Sequence, residues 1–234
     1  MIKAILFDID NTLVNFMRMK RHAVDTAADA MIDAGLKMPK KDFIAKIFET
    51  YWQEGIEDQQ IFNKILVQVM GQVDYKVLAV GILGYRRAID AFLAVHPHVH
   101  PTLTAMAKMG IKMAVVSDAP KLQVWMRIVG LGISHYFDTV VTFDDTGEKK
   151  PSPKPFRLAL DKLGVIPGEA LMIGDWVDRD IVGAKGVGMT AVFARYGDEF
   201  NTPPKTIADF EVQDIAELVE IVKKINSGKS LAAS

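Results

Sequence analysis

Apolar and polar positions along this chain follow two rhythms. Lys3-Ala4-Ile5-Leu6-Phe7 is a short apolar run fit for a buried strand, and it breaks into Asp8-Ile9-Asp10-Asn11-Thr12. From residue 16 to 95 the period is helical throughout. A first helix is predicted from Phe16 to Ala34, with Ala23, Ala27, Ala30 and Met31 on one face and Gly35 as its stop. A second follows Pro39, carries Phe43, Ile47 and Tyr51, and stops at Gly55. A third takes Asp58 as its N-cap and buries Ile61, Phe62, Ile65, Leu66 and Val69, and a fourth starts at Asp74 and continues past Ala91. Capped amphipathic helices with short connections describe a helical bundle.

From Pro101 onward strands and helices alternate. The spacing predicts a helix over Thr102 to Met109, a strand over Ile111 to Val116, and a helix from Pro120 to near Gly130. A strand over Thr139 to Phe143, a helix from Ser152 to Leu163 and a strand over Ala170 to Ile173 come next. A helix over Asp178 to Lys185, strands at Thr190 to Phe193 and Asp209 to Val212, and a last helix capped by Asp214 complete the pattern, with the tail from Ser227 to Ser234 expected to fray. Such alternation of apolar strands and helices implies a parallel sheet covered on both faces. The first strand therefore belongs with residues 97–234, and residues 16–96 form an inserted helical domain.

Composition adds exclusions. Half of the 234 residues are hydrophobic and the net charge is −1, so no basic excess recommends nucleic acid or an anionic membrane as a partner. The chain has no cysteine, which removes disulfides and thiolate metal sites. The start runs straight into a strand pattern, and no apolar run approaches the roughly 20 residues that span a bilayer. A cytoplasmic protein, monomeric or a small homo-oligomer, is the expectation.

The polar residues at the strand ends carry the candidate chemistry. Ligands of open α/β sheets bind beyond the carboxyl ends of the strands. Asp8 and Asp10 end the first strand, Ser117-Asp118 a second, Lys149-Lys150-Pro151 follows a third, and Gly174-Asp175 ends a fourth with Asp180 close behind. Carboxylates this close need a cation between them, or one must keep its proton. Lys150 has rivals in Lys149 and Lys154, but it directly precedes Pro151, in a stretch held away from helix. Lower in rank stand His96, His98 and His100, whose alternation would suit Zn²⁺ or Ni²⁺ but reads first as a polar return hinge. Arg18, Lys20, Arg21, Arg86 and Arg87 border the helical segment, either as a solvated face or as contacts to an anionic substrate tail.

These motifs resemble the haloacid-dehalogenase-like (HAD) hydrolase superfamily. Its four motifs stand in order as Asp8-Ile9-Asp10-Asn11-Thr12, then Ser117, then Lys150-Pro151-Ser152-Pro153, then Gly174-Asp175-Trp176-Val177-Asp178-Arg179-Asp180. The helical insertion is similar to the family's first-type (C1) cap, and Asn11 stands where many members carry glycine. The resemblance implies a three-layer, doubly wound, mostly parallel α/β core. It also implies Mg²⁺-dependent hydrolysis of a small phosphorylated metabolite through an aspartyl-phosphate. On it Asp8 is the nucleophile and Asp10 the general acid and base. Ser117, Asp118 and Lys150 bind phosphate; Asp8, Asp10 (by its carbonyl) and Asp175 hold Mg²⁺; Asp180 acts in the outer shell. Rivals on the same fold are a 2-haloacid dehalogenase, for which the second acid has no task, and a phosphomutase. A non-enzymatic switch phosphorylated on aspartate is the rival from another class.

Overall fold

A computed structural model describes residues 1–228, so the end of the tail expected to fray lies outside the described residues. The chain forms two compact units, Met1–Asn15 with residues from Ala94 onward, and Phe16–Leu93.

In the first unit, six parallel strands lie in the order β3-β2-β1-β4-β5-β6. They are β1 (Ala4–Phe7), β2 (Lys112–Val116), β3 (Thr139–Val141), β4 (Ala170–Gly174), β5 (Thr190–Ala194) and β6 (Phe210–Val212). The chain winds outward from β1 to β3, then returns to β4 on the other side of β1. That reversal makes the carboxyl ends of β1 and β4 the switch point of a doubly wound sheet, where a crevice opens. The three central strands are level: Phe7 lies beside Val115 of β2 and beside Ile173 of β4.

The second unit holds α1 (Phe16–Asp33), α2 (Lys40–Glu54), α3 (Ile61–Met70) and α4 (Tyr75–Phe92). Its core gathers Ala27, Met31, Phe43, Ile47, Ile65 and Leu66 from the faces that the helical period marks. The first unit continues with α5 (Val99–Lys108), α6 (Lys121–Gly130), α7 (Phe143–Thr146), α8 (Pro153–Leu163), α9 (Val182–Val187) and α10 (Glu217–Asn226). Ala4 and Leu6 of β1 pack in one cluster with Phe156, Leu160 and Leu163 of α8. Among the described residues no helix is long and apolar enough to cross a membrane.

Local chemistry explains most boundaries. Asp74 caps α4 by accepting from the N–H groups of Lys76 and Val77, and Ser152 caps α8 by accepting from Lys154. Four expectations are corrected. Asp58 accepts from the Gln60 N–H and so caps the turn before α3 rather than the helix itself. β3 ends at Val141, because Thr142 and Asp145 exchange the two bonds of a capping box and start α7. α5 begins at Val99 and not at Thr102. The helix expected from Asp178 starts instead with a wide π turn over Val177–Ile181.

Candidate active site

β1 delivers Asp8 to the crevice, where its N–H donates to the Ile173 carbonyl of β4 at 2.9 Å. Asn11 then turns the chain with φ +59°, in the left-handed region that glycine and asparagine tolerate best. That is the physical reason either residue serves at this position. Gly197, after β5, packs against the same turn so closely that an added Cβ would lie 1.9 Å from the Asn11 carbonyl oxygen. Glycine is required there.

Lys150 stands at the centre. Its ammonium donates to Asp8 Oδ1 at 2.5 Å, to Asp180 Oδ1 at 2.6 Å and to the Val116 carbonyl at 3.0 Å. All three side chains are buried. Burial works against the Lys150 charge, but the carboxylates of Asp180, Asp8 and Asp118 overcome it and hold the group firmly protonated. The rivals lie elsewhere: Lys149 sits over the Phe143 ring and Lys154 pairs with Glu148.

Asp175 joins the cluster from the end of β4 and accepts from the Thr12 hydroxyl at 3.3 Å. Carboxylate oxygens of Asp8, Asp175 and Asp180 all lie within 4.8 Å of one another. Burial and the charges of Asp8 and Asp180 push the Asp175 carboxyl well above its usual range. Burial also pushes Asp180 up to about 7, with Lys150 opposing the rise and Asp8 adding to it. Fully ionised, three carboxylates against one ammonium would leave two negative charges uncompensated, and the raised Asp175 and Asp180 express that cost. An all-oxygen donor set with that deficit fits a hard divalent cation.

The remaining predicted residues fall into place around this cluster. The Ser117 oxygen accepts from the Ala119 N–H at 3.2 Å, which leaves its own proton to donate. The Asp118 carboxylate accepts from the Lys150 N–H at 2.8 Å and from Arg179 at 3.2 Å, so its side chain ties loops together. Asp10 turns its carboxylate to Arg127, with Nη1 2.9 Å from Oδ2. The three histidines do not gather: His98 pairs with Asp214 at 2.6 Å, His96 meets the edge of Tyr196, and His100 lies beside Tyr136.

Arg127 and Tyr196 lie outside the motifs and Thr12 and Arg179 carry no role in them, yet all four bond to the candidate site residues or to the loop that carries them. Arg127 had a readable signal. It shares the buried face of α6 with Val124 and Ile128, and a charge on an apolar stripe asks for a partner. Tyr196 had none, since its hydroxyl donates to the Thr12 carbonyl at 2.8 Å across 184 residues of sequence.

Comparison with known proteins identifies the family. The family model for haloacid dehalogenase-like hydrolases matches residues 2–188. A glyceraldehyde 3-phosphate phosphatase of Methanopyrus kandleri is 33% identical, covering 96% of this chain and 99% of that protein. One of the same name from Methanocaldococcus jannaschii is 32% identical, with coverage of 96% and 99%. The crystal structure of a HAD phosphatase from Thermococcus onnurineus superposes with a TM-score of 0.70 at 29% identity, covering 94% of this chain and 98% of that one. The chain belongs to the haloacid dehalogenase-like hydrolases and is a phosphatase of that family.

Proposed function

We propose that this enzyme hydrolyses small phosphomonoesters with Mg²⁺ through an aspartyl-phosphate on Asp8. One observation carries the reading: the Lys150 ammonium bridges Asp8 and Asp180 beside a third buried carboxylate. That arrangement suits a dianionic phosphoryl group only with a divalent cation present. Asp8, the Asp10 carbonyl and Asp175 would hold Mg²⁺, with Asp180 behind them, and the bound ion would supply charge to the transferring oxygens.

The residues themselves perform the rest. Lys150 fixes one Asp8 oxygen and neutralises the incoming phosphoryl group. The Asp8 carboxylate attacks phosphorus, the bond to the leaving oxygen breaks, and that oxygen takes its proton from Asp10. Water then attacks phosphorus, gives its proton to Asp10, and the bond to Asp8 breaks. Ser117 donates its hydroxyl to a non-transferred oxygen, and Asp118 contributes its backbone N–H. Arg127 holds the Asp10 side chain in a fixed direction.

Glyceraldehyde 3-phosphate, named for the archaeal relatives, is the first substrate to assay. Wild-type enzyme should turn it or a comparable small ester over with Mg²⁺. Turnover should vanish on chelation and return when Mg²⁺ is restored. Asp8→Asn should lose on the order of 10³-fold in kcat. A variant that keeps wild-type rates would remove Asp8 as nucleophile.

A further inference from the structure

The short turn after β5, Arg195–Gly197, carries no motif residue, yet it meets the site at two points. The Tyr196 hydroxyl donates to the Thr12 carbonyl at 2.8 Å, and the Thr12 hydroxyl donates to Asp175 Oδ1 at 3.3 Å. Two bonds in series thus join Tyr196 to a carboxylate of the cluster, through one residue of the loop after β1. Gly197 makes the second contact. A Cβ there would lie 1.9 Å from the Asn11 carbonyl oxygen and 3.0 Å from the Asp175 Cβ. The backbone of the turn is therefore wedged between the loop after β1 and the end of β4.

Ordinary packing explains less than this. A buried phenol needs an acceptor, and a core tyrosine finds it on a convenient carbonyl. Here the acceptor belongs to Thr12, which is completely buried and whose own hydroxyl is committed to Asp175. A buried carbonyl needs a donor, and Tyr196 supplies it from the far side of the sequence. Burial and the charges of Asp175, Asp214 and Asp8 push the phenol upward, so it remains an O–H donor and adds no negative charge to the cluster. His96 meets the same ring edge to face at 4.9 Å and steadies it from the other side of the loop.

We propose that Tyr196 is a positioning residue for the divalent cation: through Thr12 it sets the spacing between the loop that offers the Asp10 carbonyl and the Asp175 carboxylate. Mg²⁺ demands near-ideal octahedral geometry with short bonds, whereas Ca²⁺ accepts more ligands in looser shells. A cluster without this strut therefore loses Mg²⁺ before Ca²⁺. The assignment rests on the reading above, in which Asp8, the Asp10 carbonyl and Asp175 hold Mg²⁺.

The test compares the full-length wild type with Tyr196→Phe, which removes one oxygen and keeps the ring. Thermal melts of the metal-free proteins, titrated with MgCl₂ and separately with CaCl₂, give the affinity for each ion without turnover. Tyr196→Phe should weaken Mg²⁺ about tenfold and Ca²⁺ by about threefold or less. At saturating Mg²⁺ its kcat should return to within about twofold of wild type, since Asp8, Asp10 and Lys150 are untouched. A lower Tm with unchanged Mg²⁺ affinity would make Tyr196 a packing residue and overturn the proposal. Equal losses for the two ions would show general loosening and overturn it too. Thr12→Val cuts the same series at its other bond; it should give the same ion signature and replaces Tyr196→Phe if that variant fails to fold. Should the wild type hydrolyse no small phosphomonoester, the functional reading falls, but the melts still decide: a Mg²⁺-dependent rise that Tyr196→Phe weakens keeps the strut. If no divalent ion raises the wild-type Tm, the cation site and the strut fall together.

Discussion

Lys150 in the α/β unit and Lys20 in the helical unit are both almost wholly buried, at 5% and 4% exposure, but their surroundings differ. Lys150 is held by two carboxylates and a carbonyl that arrive from the ends of β1 and β2 and from the π turn after β4. Lys20 is held by three aromatic faces that arrive from three helices. Strand ends and the loops after them can present backbone and short acidic groups to one point, and so they build a site from dense polar contacts. Helix backbones are already satisfied internally, so a helical bundle offers only side chains, and its interior is apolar. The difference shows two ways of burying a lysine, by dense polar contacts at strand ends and by aromatic faces between helices.

The sharpest way to break that comparison is to remove each ammonium. Lys150→Met should abolish turnover and, without a divalent cation, cost about 3–5 kcal/mol of stability, because the carboxylates lose their partner. Added Mg²⁺ should return part of that stability in thermal melts. Were Lys150→Met no more damaging than Lys20→Met to both kcat and Tm, the contrast would be empty.

Glycines sharpen the comparison at a lower level of effect. An added Cβ at Gly197 would strike the Asn11 backbone oxygen, which cannot move without displacing the loop that carries Asp10. Gly197→Ala should cost about 1–3 kcal/mol and at least tenfold in kcat. At Gly81 of α4 the same methyl would meet only the Met31 side chain, with Cε 2.0 Å away. Methionine can change rotamer, and alanine favours helix, so Gly81→Ala should change stability by no more than about 1 kcal/mol and leave kcat alone. Urea melts and steady-state rates on the two variants measure the contrast.

The smallest effect concerns the capping box that ends β3. The Asp145 carboxyl is partly buried, which raises its pKa, but its bonds to Lys121 and Thr142 outweigh that and hold it below the ordinary 3.8. A depressed carboxyl stabilises the fold above pH 3.8, and this contribution is lost as pH falls through its folded value. Asp145→Ala should therefore cost about 1 kcal/mol at neutral pH. The gap from wild type should close as the pH falls below 3.8. A gap that persists there would assign the effect to packing instead.

Much of the α/β unit was legible because apolar runs of strand length are followed at once by the residues that react. Asp8, Ser117, Lys150 and Asp175 could be placed at one edge from sequence order alone. What resisted was of two kinds. Thr142 and Phe143 continue an apolar, β-branched run, and only Asp145, three residues after Thr142, betrays that the chain has already turned into helix. The other kind is long-range pairing. Arg127 with Asp10 spans 117 residues and Tyr196 with Thr12 spans 184, and no local pattern encodes either partner. In the helical unit the stripe of α1 was visible, but Lys20 reads as one more surface charge until the rings around it are located.

The level register of β1, β2 and β4 has an evolutionary corollary. Loops at the other edge of the sheet can lengthen or shorten freely, since nothing reactive hangs from them. The central strands cannot change by one residue, because an odd shift turns every side chain to the opposite face and carries Asp8 away from Lys150. Descendants of this chain can thus remodel their connections gradually, while the length of the three middle strands is quantised in steps of two.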